Sequence, residues 1–166
     1  MGSPELVIMG IDPGSVKTGF GIIKRHRDGS FSAVASGVIR TKSGSPLPER
    51  LLKIYDELLR VVEKYNPGAI AVEEVFVRDH PRSALVLGHA RGVALLAAQH
   101  SGSSIHEYAP TEIKKSVTGS GRASKEQVAL MAVQLLGLSK RPAEDAADAL
   151  CVAMCHGMRK PLVELK

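Results

Sequence analysis

The chain has 166 residues, of which 44% are hydrophobic and 23% are charged. That mixture is unlike a disordered protein and predicts a single domain, residues 1–166, with its own core. Its net charge of +5 and pI of about 9.4 favour a polyanionic partner such as nucleic acid. No membrane-length apolar stretch, signal peptide or disulfide framework is visible, so we expect a cytoplasmic protein with no membrane association.

Three apolar runs with short connections come first. Residues 6–11 predict a buried strand that ends at Asp12. Residues 18–24 and 31–40 predict two further strands, separated by a turn at Asp28-Gly29. Because the connections are short, we expect these strands to form an antiparallel meander.

Helices and strands alternate through the rest of the chain. Residues 49–65 predict an amphipathic helix with an apolar stripe of Leu51, Leu52, Tyr55, Leu58, Leu59 and Val62. The later predicted elements are strands at 69–75 and 104–108, a glycine- and alanine-rich helix at 83–100, and helices at 110–117, 123–136 and 143–158. The order βββαβαβααα predicts an α/β domain with a five-stranded mixed sheet flanked by helices.

Asp12 is the first candidate site residue. It follows a buried strand and precedes Pro13-Gly14, which turns the chain and leaves the carboxylate at the rim of the sheet. The alternative is that Asp12 only initiates the turn, as an aspartate before Pro-Gly often does.

Glu73 and Glu74 lie inside the apolar run IAVEEVF. Alternation places them on opposite faces of the strand, with Glu73 on the face of Ala71 and Val75. A carboxylate in the middle of an apolar strand is unfavourable unless something compensates it, and a metal ion is one such group. An edge strand with two solvated glutamates is the alternative.

Asp145 and Asp148 are three residues apart in AEDAADALCVA and fall on one helix face. Acids near a helix start also have a capping role, which is the alternative for this pair. Asp148 is flanked by small residues, which let the helix approach the sheet closely.

These three segments can converge on two hard cations. An all-carboxylate site suits Mg²⁺, with Mn²⁺ as a substitute. Two such ions roughly 4 Å apart stabilise the attacking and leaving oxygens of an in-line phosphodiester displacement. The acids therefore predict a two-metal nuclease.

Four motifs in this order resemble the RuvC family of bacterial Holliday junction resolvases: GIDPGSVKTGFGI, AVEEVF, LGHARGVALLAA and DAADAL. The similarity runs from about Val7 to His156. It implies an RNase H-like fold, a homodimer, and Mg²⁺-dependent symmetrical nicking of four-way junction DNA. It also implies a branch-migration helicase partner, RuvA and RuvB, and a role in recombination and repair at the nucleoid.

Carried over by motif, the catalytic and metal-binding acids are Asp12, Glu73, Asp145 and Asp148. Some members have histidine in place of the first helix acid, whereas this chain has Asp145 and an all-carboxylate set. Glu74 stands where many relatives have glutamine, and we expect it to be structural or supporting.

The resemblance also implies DNA-binding residues. Phe76 matches an aromatic that stacks at the junction crossover, with core packing as the alternative. Arg78 and Arg82 flank that loop and can contact phosphates.

Lys114 and Lys125 match basic positions that the family places near its active site. Solvated helix faces are the alternative for both lysines. Lys115 and Arg122 are adjacent candidates for the same contacts.

Two other features have simpler interpretations. The thin helix at 83–100 permits close packing on its own sheet, and the resemblance adds a dimer interface along it. Cys151, Cys155 and His156 are expected to be buried residues of the last helix, because a soft-metal site would need a fourth ligand.

Three rival functions are considered. RNase H-like nucleases of pre-ribosomal RNA share a start like GIDPG. The DPGSVKTGFG loop resembles the phosphate-binding turn of actin-like ATPases, which need a second such domain. A non-catalytic junction-binding module would require loss of a metal ligand.

Overall fold

Five strands and five helices form the part of the chain that the computed structural model describes, residues 5–75 and 80–159. Their order is the predicted βββαβαβααα. The strands are β1 Leu6–Asp12, β2 Lys17–Arg25, β3 Phe31–Arg40, β4 Ala69–Glu73 and β5 Ser104–Tyr108. The helices are α1 Leu47–Tyr65, α2 Pro81–His100, α3 Pro110–Thr118, α4 Lys125–Leu135 and α5 Glu144–Arg159.

The strands form one mixed sheet in the order β3-β2-β1-β4-β5. The pairs β1–β2 and β2–β3 are antiparallel, which confirms the meander, whereas β4 is parallel to both β1 and β5. One edge of the sheet therefore collects the carboxyl ends of β1, β4 and β5, the start of β2 and the end of β3.

Each face of the sheet carries its own core. On one face Ile8, Ile23 and Ala71 pack with α3, α4 and α5. On the other face Met9 and Ile70 are among the residues that pack with α1 and α2. Because side chains alternate along a strand, each strand contributes to both layers. We call these the α5 face and the α1 face.

Helix α1 turns one apolar face towards the sheet. Its fully buried residues are Ile54, Leu58 and Val62, spaced by four residues. The predicted stripe was displaced by part of a turn, since Leu52 is 61% exposed. The helix ends at Tyr65, because the next residue, Asn66, has a left-handed backbone (φ 43°); the Asn66 N–H makes the last helical bond, to the Val62 carbonyl.

Helix α2 packs chiefly against α1 rather than against its own sheet. The residues that it buries are alanines: Ala90, Ala94, Ala97 and Ala98. Small side chains let the two helices approach closely. No helix in the described ranges is both long and apolar enough to cross a membrane.

Two of the boundaries that differ from prediction have a clear structural reason. Strand β4 ends at Glu73 rather than at Val75, because its ladder with β5 ends where Glu73 pairs with Tyr108. Helix α4 begins later than predicted, because the Ser124 side chain accepts a hydrogen bond from the Gln127 N–H and acts as the N-cap.

Candidate active site

Asp12 and Glu73 are neighbours at the edge where β1 and β4 end. The parallel register pairs Ile11 with Val72, so the next residue of each strand lies at the rim. Both acids share the α5 face, because Gly10 and Ala71 two residues earlier contact α5 or its core. Glu73 is thus a strand-end residue, and the prediction of a mid-strand glutamate was wrong.

The turn after Asp12 does not depend on its carboxylate. Thr18 holds that turn, donating its hydroxyl to the Gly14 carbonyl at 2.7 Å and accepting from the Gly14 N–H at 3.3 Å. Among the hydrogen bonds of the described residues, none joins the Asp12 carboxylate to a loop N–H. This arrangement disfavours turn initiation as the role of Asp12.

Glycines bring α5 against the strands that carry the site. A Cβ on Gly10 would lie 1.9 Å from the Ala149 carbonyl oxygen, and one on Gly19 would lie 1.9 Å from that of Asp145. Gly19 is the cross-strand partner of Asp12. The first turns of α5 therefore lie directly over the edge that holds Asp12, and this contact positions Asp145 and Asp148.

All four predicted acids line one cavity of about 320 Å³. Lys114, Lys125 and Glu144 line it as well, and Ile113, Val128 and Val152 supply apolar wall. We call this cavity the acidic cleft. Convergence of the acids from β1, β4 and α5 agrees with the sequence prediction for all four.

Burial and repulsion by neighbouring carboxylates raise the pKa values of Asp12, Glu73 and Asp148 in the acidic cleft. Burial, and then the charge and hydrogen bond of Glu73, raise the pKa of Asp12 to about 8. Burial is also the main cause that raises the pKa of Glu73 and that of Asp148. Asp12 and Glu73 share a side-chain hydrogen bond, so one proton lies between two carboxyls that would otherwise repel.

Two lysines supply positive charge to the acidic cleft. The Lys125 ammonium lies 3.0 Å from Glu144 Oε1 and 3.9 Å from Asp148 Oδ2. Its hydrogen bond to Glu144, and then the charge of Asp148, raise the pKa of Lys125. Lys114 acts on Glu73, whose pKa its charge lowers in opposition to burial.

The donor chemistry of the acidic cleft fits a hard cation. Within residues 5–75 and 80–159, no three His, Cys, Asp or Glu side chains are already arranged as a metal-binding group. A shared proton and the Lys125 ammonium instead provide the positive charge that a divalent cation would replace. Cys151 also lines the cleft, but burial raises the pKa of its thiol to about 12, which leaves oxygen donors alone for a metal.

We expect Asp12→Asn to stabilise the metal-free protein strongly at about pH 8 and much less at about pH 5. The folded protein keeps a proton on Asp12 up to a pKa of about 8, whereas the unfolded chain releases it near the ordinary value of 3.8. The free energy of unfolding therefore falls as pH rises between these values, and the variant escapes a loss on the order of 2–4 kcal/mol.

Urea unfolding in chelator at both pH values measures this difference. The exposed Asp56→Asn on α1 is the matched control, since it makes the same chemical change away from the acidic cleft. Equal pH dependence in the parent and Asp12→Asn would contradict the shared proton.

The remaining predicted site residues have mixed outcomes. Phe76 and Arg78 lie outside the described residues. Arg82 is exposed at the start of α2 and lines a separate small cavity with Ser15. Arg122 lines another surface cavity beside α4, away from the acidic cleft.

The cysteines and the histidine of α5 are buried, as expected. Cys151, Cys155 and His156 are each no more than 2% exposed. His156 accepts or donates a 2.7 Å hydrogen bond with the Tyr108 hydroxyl.

Sequence reasoning assigned no site role to Glu144 or to Lys17. The structure places Glu144 in the wall of the acidic cleft, and the charge of Lys17 is among the causes that lower its pKa, after Lys125. One sequence signal points to the proximity of Lys17 to Glu144. Lys17 is five residues after Asp12, at the start of a strand.

Comparison with known proteins gives a consistent result over nearly the whole chain. The family model described as "Crossover junction endodeoxyribonuclease RuvC" matches residues 8–156. A protein of that name from Legionella pneumophila is 48% identical over 160 residues, 96% of this chain and 91% of the relative. One from Saccharophagus degradans is 49% identical over 150 residues, 90% of this chain and 86% of the relative.

A solved structure is similar in fold as well. The structure of Thermus thermophilus RuvC in complex with Holliday junction substrate superposes with a TM-score of 0.87 at 34% identity. The match covers 92% of this chain and 93% of that one. The five-stranded mixed sheet flanked by helices is therefore the fold of these resolvases.

Proposed function

Since the chain belongs to the RuvC family of crossover junction endodeoxyribonucleases and resolves four-way DNA junctions, we propose that the four acids of the acidic cleft cut the strands. One observation supports this most strongly: acids from three separate elements line one cavity of about 320 Å³ beside two lysines. The rival family of pre-ribosomal RNA nucleases is not the one that this chain matches.

Metal dependence is a property of this nuclease family, and we propose Mg²⁺ as the metal, two per site, with Mn²⁺ as a substitute. Asp12, Glu73, Asp145 and Asp148 would hold it through carboxylate oxygens, which hard cations prefer. When bound, such ions activate water and neutralise charge on the phosphate oxygens.

The residues of the acidic cleft have separate roles in this proposal. Release of the proton between Asp12 and Glu73 prepares both carboxylates for the cation. Lys114 and Lys125 face the same cavity and would contact the phosphates beside the scissile bond. The apolar wall lowers the polarity beside the carboxylates, which strengthens the electrostatic contacts there.

Three further residues complete the proposed DNA contacts. Phe76 would stack on a base at the crossover, while Arg78 and Arg82 would contact phosphates nearby. The proposed phosphate contact of Arg82 is supported by the position of this exposed residue near Ser15, at the turn that follows Asp12.

Cutting of a labelled four-way junction tests the function. We expect paired, symmetrical nicks on the junction and none on linear duplex of the same sequence, with no cutting when Mg²⁺ is omitted. Cutting of the duplex at the same rate as the junction would contradict structure selectivity. Cutting in chelator would contradict the metal.

We propose a homodimer formed through α2. Leu85 and Leu96 on this helix are 65% and 52% exposed, and between them Gly88 and Gly92 would direct an added Cβ into open space. These four residues share one helix face. An exposed apolar stripe without side chains at its centre suits close contact with the same stripe of a second copy. Two copies present two clefts, as paired cuts require.

Leu96→Glu is expected to convert the dimer into a monomer, because it buries two unpaired charges at a self-complementary contact. Light scattering after gel filtration measures the mass. Leu130→Glu on α4 is the control, since Leu130 is similarly exposed at 54%. A monomeric parent, or a dimeric Leu96→Glu variant, would exclude this interface.

Family membership also supports a branch-migration helicase complex, RuvA and RuvB, as partner, and the nucleoid as the place of action. We expect junction cutting to be faster when these helicase proteins are added. An unchanged cutting rate with an active helicase would argue against the partnership.

A further inference from the structure

Two cations, Lys17 and Arg40, lie opposite each other on the neighbouring strands β2 and β3, beside the acidic cleft. Lys17 begins β2, Arg40 ends β3, and the antiparallel register pairs them directly. Both are exposed. Directly opposite residues have Cβ atoms about 4.5–5.5 Å apart and share a face of the sheet.

That face is the α5 face, where the acidic cleft lies. Gly19 is two residues after Lys17, and a Cβ added to Gly19 would point at the Asp145 carbonyl of α5. Ile39, the neighbour of Arg40, belongs to the core of the opposite face. The side chains of Lys17 and Arg40 therefore leave the sheet on the same side as Asp12.

Nothing in the described ranges neutralises this pair. Of the ion pairs among residues 5–75 and 80–159, none includes Lys17 or Arg40. Glu144 is near enough to be affected by the charge of Lys17, but its hydrogen bond is made to Lys125. Like charges placed opposite each other in a sheet are destabilising, so this pairing lacks a structural benefit.

Hydrogen bonds keep the two cations from separating. The Thr41 N–H donates to the Val16 carbonyl at 2.9 Å, and the Thr41 hydroxyl donates to the Ser15 carbonyl at 2.7 Å. The Arg50 guanidinium donates twice to the same Ser15 carbonyl, at 3.1 and 3.0 Å. These bonds join the residues before Lys17 to the residue after Arg40.

The position of the pair suits a DNA strand whose scissile phosphate lies at Asp12. Asp12 pairs with Gly19, and Lys17 is two residues further, about 7 Å at the usual strand rise. On the basis of the proposed function, we propose that Lys17 and Arg40 form a phosphate-binding site for the junction strand next to the scissile phosphate.

The test is junction affinity over a salt series for Lys17→Gln, Arg40→Gln and the double variant. Fluorescence anisotropy with a labelled four-way junction, in chelator to prevent cutting, gives the dissociation constant. We expect each single variant to bind about 3–10-fold more weakly, and the double variant to lower the slope of log affinity against log salt by about 2.

Two further readouts separate binding from folding. Single-turnover cutting at protein concentrations below the dissociation constant should fall in proportion to the affinity of each variant, because weaker phosphate binding then limits the rate. The urea midpoint should be unchanged or higher, because a like-charge contact is removed. Lys53→Gln, an exposed lysine on α1, is the control for net charge alone.

A double variant with the affinity and salt slope of Lys53→Gln would overturn the proposal. A loss of affinity that tracks a lower urea midpoint would also overturn it, since it would assign both residues to the fold. Failure of the parent itself to bind the junction would refute the proposed function, and this inference with it. A loss of junction affinity in the Lys17 and Arg40 variants, without a lower urea midpoint and beyond that of Lys53→Gln, supports the inference.

Discussion

Asp12→Asn is expected to slow junction cutting by on the order of 10³-fold or more while junction affinity stays within about 3-fold. The amide keeps the size and the neutral form that Asp12 holds in the metal-free protein, where burial and Glu73 raise its pKa to about 8. It cannot become a carboxylate, so the charge that attracts a divalent cation is lost. Glu73→Gln should behave in the same way.

Glu74→Gln is the matched control for this prediction. Glu74 is adjacent in sequence, but it follows the end of β4, and its N–H bonds to the Tyr108 carbonyl. It is absent from the lining of the acidic cleft. Single-turnover cutting and anisotropy on the same junction compare the three variants. If Asp12→Asn and Glu73→Gln both cut at the rate of the parent, the assignment of the site is wrong.

Asp12→Asn should also be the more stable protein in chelator at about pH 8, as argued above. Loss of activity with a gain in metal-free stability is the behaviour of a site that holds repelling charges for its chemistry rather than for folding. A variant that lost activity because it unfolded would show the opposite. The two measurements together therefore separate catalysis from folding at this residue.

The elements were predictable because their signals are local. Apolar runs bounded by turn residues marked β1, β2 and β3, and apolar residues at three- and four-residue steps marked α1, although its most buried residues proved to be Ile54, Leu58 and Val62. The periodicity of apolar residues does not show which of them are most buried, because that depends on the surface against which the helix packs. Leu52 lies outside that surface and is exposed.

The four acids were predictable for a different reason. A carboxylate inside or directly after an apolar run conflicts with its surroundings, and such conflicts mark functional sites. The exact position of Glu73 was not predictable, since β4 stops where its ladder with β5 stops. The ends of β-strands depend on pairing with distant residues.

Contacts between distant residues account for what sequence reasoning missed. The opposition of Lys17 and Arg40 exists only in the register of β2 and β3. The roles of Gly10 and Gly19 exist only because α5, more than 120 residues later, crosses them. In the sequence these glycines indicate only strand positions that have no side chain.

Gly19→Ala is expected to reduce cutting by about 100-fold or more, although the substitution adds only one uncharged methyl group. The added Cβ would lie 1.9 Å from the Asp145 carbonyl oxygen and 2.5 Å from the Asp145 carbonyl carbon. Both are backbone atoms, so no side-chain rotation relieves the clash, and α5 must shift. Because Asp145 and Asp148 lie on its first two turns, the shift separates them from Asp12.

The cost in stability should leave the protein folded, while the loss of activity is nearly complete. Inserting a methyl group into a packed contact usually costs about 1–3 kcal/mol, which urea unfolding measures. Cutting depends on ligand positions to within about 0.5 Å, so a displacement that the core tolerates still disables the site. Gly44→Ala is the control, since a Cβ there would meet no atom within 4 Å.

Raised concentrations of Mg²⁺ distinguish a displaced site from an unfolded one. If α5 has shifted, Gly19→Ala stays folded, and more cation restores part of the cutting, because binding energy pulls the acids together. If Gly19→Ala cuts like the parent while Gly44→Ala does too, α5 can move away without consequence. The close contact between Gly19 and α5 would then have no part in positioning the acids.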